Sequence, residues 1–254
     1  IPYEDKFTLI GTTDIDHGQS AGKVEISEEE QLYICKSANE YLNTEISLKD
    51  IVWSYSGVRP LYDDGASEAQ DATRDYVIKV EEQDSSLMVN IFGGKITTYR
   101  RLSESILKHV EGFLGKRGNA WTEKSSLPGG DIAVDGQIDL NTKLHKKYPF
   151  LTEETIKRLV RSYGTISFDI FGGAENLESL GEHFGSGLYE REVNYLIQEE
   201  WSRTSDDILF RRSKLGLSFS KDKIKKLDLY LDDFFKASSH SKNDELKSKM
   251  VEKV

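Results

Sequence analysis

Three cationic residues in the first half of the chain stand beside conformational punctuation, and together they make the chemistry of an anion site. Arg59 sits in Ser56-Gly57-Val58-Arg59-Pro60-Leu61, Arg74 in Ala72-Thr73-Arg74-Asp75-Tyr76, and Lys95 in Phe92-Gly93-Gly94-Lys95-Ile96-Thr97-Thr98-Tyr99-Arg100. An arginine offers a planar fork of donors that matches a phosphate or carboxylate, and a lysine adds a point charge. In the third segment a strand ends, two glycines allow close backbone approach, and a helix begins with free N–H groups. Such a start favours negative charge, whether a phosphate or the electron-rich edge of a reduced flavin. On residue chemistry alone the same features also fit a tight turn and surface ion pairs. Val89 stands where the first glycine of a Walker motif would fall, so a P-loop is not indicated.

The elements that must position these groups follow from periodicity. Phe7 to Thr13 reads as a strand. Ser27 with Glu30 forms a capping-box pattern, and Ile34, Cys35, Ala38, Tyr41 and Leu42 recur at helical spacing, predicting a helix ending near Asn43. Ile51 to Ser56 alternates large and small side chains as a strand does, with Trp53 and Tyr55 as core or pocket wall. Tyr76–Val80 and Leu87–Phe92, separated by Asp84-Ser85-Ser86, predict a hairpin. Tyr99, Leu102, Ile106, Val110 and Phe113 give one face of a helix that stops before Gly115.

Residues 115–130 are a Gly-, Ser- and Lys-rich connector, after which the pattern predicts an all-helical domain. Thr152 is placed as an N-cap, with Leu151 and Ile156 as a hydrophobic staple and Gly164 closing the helix. Leu188, Tyr189, Val193, Leu196 and Ile197 give a second periodic face running to Trp201. A third helix begins at Asp206, and Asp222 to Phe235 forms the last. From Ala237 a frayed tail is expected. Glu190, Glu192, Glu199, Glu200, Arg211 and Arg212 read as a solvated, salt-bridged helix surface.

Composition narrows the function classes. Asp plus Glu number 44 against 34 Lys plus Arg, a net charge of −10. That balance argues against a nucleic-acid surface. Cys35 is the single cysteine, so an internal disulfide is impossible and a reducing compartment suits the chain. No apolar run approaches the roughly 20 residues of a spanning helix, and no signal-peptide pattern is visible. No metal site is indicated. A chain opening on Ile and moving into a strand reads as the end of a longer polypeptide.

The order and spacing of the three cationic motifs resemble the C-terminal half of FAD-dependent glycerol-3-phosphate dehydrogenases, in the amino-acid-oxidase-type flavoprotein superfamily. Leu9-Ile10-Gly11-Thr12-Thr13-Asp14, Ala120-Trp121-Thr122, Leu127-Pro128-Gly129-Gly130 and Tyr148-Pro149-Phe150-Leu151-Thr152 carry the same resemblance, which extends to about Phe235. It implies an α+β fold. Residues 1–114 would form the C-terminal part of an FAD/substrate-binding domain, 115–130 the connector, 131–236 a helical cap domain and 237–254 a flexible tail.

The resemblance further implies that Arg59 and Arg74 bind the substrate phosphate and that Lys95 lies by substrate and flavin. The backbone of Gly93, Gly94, Ile96 and Thr97 would lie against the isoalloxazine ring. The reaction implied is oxidation of glycerol 3-phosphate to dihydroxyacetone phosphate, with electrons passing to a quinone, or to oxygen in the related oxidases. A cytoplasmic location follows, with peripheral contact at the cytoplasmic face of the membrane and a homodimer as open alternatives. The family's GxGxxG motif and its histidine base lie upstream of this segment. His17 is given no role, and no catalytic base is assigned. Two other readings stand beside this one: a non-catalytic remnant with an anion site, and a flavin oxidase of a carboxylate substrate. Two arginines and a lysine suit a dianionic phosphate better than a carboxylate.

Overall fold

The computed structural model describes residues 1–4, 6–15, 22, 24–59, 62 and 75–251, with side chains as far as 237. The chain divides into two compact units, Ile1–Ser125 and Ser126–Val254. It mixes helix and strand, as an α+β reading requires. Among the described residues, no helix is long and apolar enough to cross a membrane.

The first unit opens with a minimal antiparallel pair, β1 (Pro2–Tyr3) with β2 (Phe7–Thr8). The ladder is shorter than the strand predicted over Phe7 to Thr13, although Leu9, the next residue, still exchanges hydrogen bonds with Ile1 at 2.9 and 3.0 Å. Helix α1 (Glu28–Asn39) starts at the predicted capping box: the Ser27 hydroxyl accepts from the Glu30 N–H, and the Glu30 carboxylate accepts from the Ser27 N–H. It stops four residues before the predicted Asn43. Asn39 explains the stop, because its side-chain amide donates to the Ile46 carbonyl and accepts from the Ile46 N–H, each at 2.9 Å. A side chain that bonds a loop in this way competes with another helical turn.

Residues Ile51 to Ser56 are irregular, in contrast to the predicted strand. Alternation alone cannot make a strand. A strand also needs a ladder of backbone hydrogen bonds to a neighbour, and no such ladder includes this segment among the described residues. Tyr55 is 63% exposed and stacks on Trp53 with ring centroids 5.1 Å apart.

The predicted hairpin is present as β3 (Tyr76–Gln83) and β4 (Ser86–Gly93), in unbroken register from Tyr76↔Gly93 to Gln83↔Ser86. Asp84 and Ser85 both have positive φ, 49° and 66°. That is the type I′ geometry whose twist matches the flanking strands. Helix α2 (Tyr99–Leu114) then runs to Gly115, whose φ of 82° ends it as expected. Of the predicted face, Leu102, Ile106, Val110 and Phe113 are half-buried, whereas Tyr99 is exposed. Among the described residues of this unit, only Cys35 is fully buried.

The second unit has an extensive core. Helices α3 (Gln137–Lys147), α4 (Glu153–Tyr163) and α5 (Ser167–Phe171) bury Leu144, Tyr148, Leu159 and Phe171 completely. Thr152 caps α4 by accepting from the Thr155 N–H, and Leu151 and Ile156 are both buried at the staple positions. Gly164 (φ 56°) closes α4 and packs on Gly129 (φ 79°), which accepts from the Thr165 N–H at 3.1 Å. A Cβ on Gly129 would fall onto the Tyr163 carbonyl oxygen, and one on Gly164 onto that of Gly129.

This unit is not wholly helical, a correction to the sequence reading. Leu188 and Tyr189, placed by periodicity on a helix, form β6 (Leu188–Tyr189), paired with β5 (His183–Gly185). Gly185, Ser186 and Gly187 all take positive φ, folding the chain back too tightly for a helix. Helix α6 (Glu190–Gln198) follows and ends before Trp201, which has φ 56°. Asp207–Arg212 forms a π-helical segment in place of an ordinary third helix. Helix α7 (Lys221–Val251) buries Leu227 and Leu231 and continues to Val251, past the point where the sequence predicts a fray.

Candidate functional site

The candidate residues lie in the first unit, at the β4–α2 junction and on the segment carrying Arg59. Gly93 (φ 66°) and Gly94 (φ 96°) turn the backbone from β4 into a short 3-10 turn, Ile96–Thr98, that leads into α2. Positive φ at both positions is available to glycine without strain. A Cβ on Gly94 would come within 3.2 Å of Tyr76 Cβ, so the junction also packs closely on β3. The Thr98 N–H and hydroxyl both donate to the Lys95 carbonyl, at 3.0 and 2.9 Å. This closes the first turn around Lys95.

The N–H groups of the first residues at such a start have no intrahelical acceptor. Ile96 is 86% exposed, so the outside of the turn is open. These donors, with two glycines beside them, fit the polar edge of a flavin ring. The fit comes from the donor set and the open backbone, the two features such a ring requires.

Lys95 is exposed and lies 4.0 Å from the Asp75 carboxylate. Arg59 donates from Nη1 to Asp14 Oδ2 at 2.9 Å. The two segments so joined are 45 residues apart and both belong to motifs noted above. Arg74, with Pro60, Leu61 and His17, lies outside the described residues. The structure thus gives Arg59 and Lys95 separate carboxylate partners.

Two features were not legible beforehand. The first is a hydrogen-bond chain behind Asp14: the Thr13 hydroxyl donates to Glu30 Oε1 at 2.6 Å, while Glu30 Oε2 closes the capping box of α1. The Thr13 hydroxyl, then the Ser27 N–H, hold the Glu30 carboxyl below its ordinary range. The second is a cluster on α2, where Arg100 donates to Glu104 at 3.2 Å and to Thr122 at 3.3 Å, and Thr122 donates to Glu104. It ties the Thr98-Tyr99-Arg100 and Ala120-Trp121-Thr122 motifs together. Both networks join residues distant in sequence; the resemblance marked Thr13, Asp14, Arg100 and Thr122, the capping box marked Ser27 and Glu30, and nothing marked Glu104.

In the second unit, the acidic and basic group read as a solvated surface is only partly so. Arg211 pairs with Asp207 at 3.0 Å, and Arg212 with Glu200 at 3.6 Å, on the surface. Glu192, by contrast, has 0% exposure. It accepts from Arg158 at 2.5 and 2.7 Å and from the Tyr163 hydroxyl at 2.8 Å. Arg158 also donates to the Gly187 carbonyl at 3.0 Å. At that depth these partners make the hydrogen bonds that water would otherwise make. Burial and the neighbouring Glu192 push the Tyr163 hydroxyl's pKa up, which keeps it a donor.

Comparison with known proteins places both units. Residues 1–100 match a family described as FAD dependent oxidoreductase, and residues 120–228 match one described as the C-terminal domain of alpha-glycerophosphate oxidase. The chain belongs to the FAD-dependent oxidoreductases, and FAD is the cofactor of that family. Within them it corresponds to the C-terminal portion of the glycerol-3-phosphate dehydrogenase type.

A Pseudomonas aeruginosa protein named glycerol-3-phosphate dehydrogenase is 42% identical over 91% of this chain and 45% of its own length. The aerobic glycerol-3-phosphate dehydrogenase of Escherichia coli is 40% identical, over 91% of this chain and 46% of its own. A Brucella abortus protein named D-erythritol 1-phosphate dehydrogenase is 41% identical, over 84% and 42%. The chain therefore spans about half the length of the curated relatives it matches.

Proposed function

We propose that this chain supplies the substrate-facing half of an FAD-dependent enzyme that oxidises sn-glycerol 3-phosphate to dihydroxyacetone phosphate. The observation that carries the reading is the glycine turn of Gly93 and Gly94 opening helix α2 with Lys95 at its start, in a chain of this family. FAD, when bound, supplies the two-electron acceptor for the hydride leaving substrate C2. The backbone of Gly93, Gly94, Ile96 and Thr97 then offers N–H groups and close approach to the ring edge. Lys95 stands beside that edge and the substrate. Arg59 and Arg74 grip the phosphate, each fork satisfying two oxygens of a dianion. The base that takes the C2 hydroxyl proton is not assigned to a residue of this chain. Quinone is the proposed electron acceptor, with contact at the cytoplasmic face of the membrane; oxygen is the alternative.

A second substrate reading has its own support, since one relative of comparable identity is named for erythritol 1-phosphate. A phosphate clamp holds one end of either polyol. The test uses the FAD-loaded protein that carries this chain with the family's dinucleotide-binding part. Without oxygen, glycerol 3-phosphate is expected to bleach the flavin's visible absorbance within the time of turnover, and glycerol is not. Bleaching only by the four-carbon phosphate would move the assignment to the second reading, and bleaching by neither would sink both. Re-oxidation by a quinone faster than by oxygen would support the dehydrogenase branch.

A further inference from the structure

We propose that Asp14 is a positioning residue for Arg59, and that the N-terminal cap of α1 anchors the arrangement. The proposal rests on the reading of Arg59 as a phosphate ligand. Neither Asp14 nor Arg59 lies in a helix or strand, so neither side chain is aimed by a regular element. Their bond, 2.9 Å between Arg59 Nη1 and Asp14 Oδ2, fixes one irregular segment on another. The pair is substantially exposed, at 46% and 35%. Ion pairs in that setting contribute little to stability, which leaves geometry as the effect that matters.

Asp14 is itself held. Thr13, its chain neighbour, donates to Glu30 Oε1, and the same carboxylate's Oε2 accepts from the Ser27 N–H while Ser27 Oγ accepts from the Glu30 N–H. The order of restraint therefore runs from the cap of a 12-residue helix, through Thr13, to the carboxylate on Arg59. By occupying Nη1, Asp14 leaves Nε and Nη2, one complete edge of the fork, for a ligand. Among the described residues Arg59 makes no other hydrogen bond. A guanidinium held this way loses less freedom when phosphate arrives than a free one does.

One effect opposes this. A carboxylate near a phosphate dianion repels it, and removing Asp14 would then tighten binding. The two effects have opposite signs in KM, so kinetics decides between them.

The experiment measures KM, kcat and FAD content of the holoenzyme for Asp14→Asn, Asp14→Glu, Arg59→Ala and the Asp14→Asn/Arg59→Ala double variant. Asp14→Asn is expected to raise KM for glycerol 3-phosphate about 5- to 20-fold with kcat within about twofold and FAD retained, on the scale of one charge-assisted hydrogen bond. Asp14→Glu should recover part of the loss, and the double variant should be no worse than Arg59→Ala alone. A KM in Asp14→Asn that is unchanged or lower, or one that multiplies in full onto Arg59→Ala, overturns the proposal alone. An unchanged KM in Arg59→Ala removes the phosphate reading, and the proposal with it. Should Asp14→Asn fail to load FAD, Thr13→Val tests the same chain one step back. It is expected to raise KM severalfold, and an unchanged KM there overturns the proposal.

Discussion

Replacing Arg59 by alanine in the FAD-loaded protein is expected to raise KM for glycerol 3-phosphate by about 10- to 100-fold while FAD stays bound. A hydrogen bond to a charged group contributes about 1.5–3 kcal/mol, and each 1.4 kcal/mol is a factor of about ten in binding. The effect should fall on KM, since a phosphate remote from C2 is held alike in ground and transition states. Arg59→Lys should recover only part of it, because the charge remains while the fork is lost. Steady-state kinetics with the flavin content measured in parallel checks both. Loss of FAD at an unchanged KM would mean that Arg59 serves the cofactor side, and the phosphate assignment would fall.

The second large effect lies away from the site. Glu192→Ala is expected to destabilise the second unit by about 3–5 kcal/mol, the range for stranding one member of a buried ion pair. The variant removes the carboxylate partner of the buried Arg158 and the acceptor of Tyr163. For a unit of this size the midpoint should fall by roughly 10–20 °C, read by calorimetry on the whole chain. The double replacement Arg158→Met/Glu192→Leu should be less destabilising than Glu192→Ala, because it abolishes the buried charge. A loss below about 1 kcal/mol in the single variant would show that water reaches Arg158 and that the pair is not a buried one.

These two residues also mark what the sequence could and could not reveal. Local signals were legible. Ser27 with Glu30, Thr152 with its staple and the glycines at 93, 94, 115 and 164 each act within a few residues, and the structure has all of them; the predicted Asp84-Ser85-Ser86 turn is also there, except that Ser86 begins β4. What failed depended on distant partners. Ile51 to Ser56 has a strand's alternation, yet no strand ladder includes it among the described residues. Glu192 follows Glu190 and Arg191 in a charged run that looks solvated, yet one turn of α6 points it into the core at Arg158, 34 residues away. Leu188 and Tyr189 fit a helical period until three consecutive positive φ angles are known. At the site, Arg59 and Lys95 were visible as types in motifs, and Thr13, Asp14 and Glu30 were visible in a motif and a helix cap, but their connection behind Arg59 was not. Nothing in their spacing announces that a helix cap will reach across to a loop.

The contact between Gly129 and Gly164 has a consequence for how the gene can drift. Any Cβ at either position meets a backbone carbonyl, not a side chain that could be trimmed to make room. No second substitution can therefore compensate a first. Two codons 35 positions apart are locked independently to glycine, and a lineage that loses one must rebuild the Leu127–Gly130 turn and the end of α4 together.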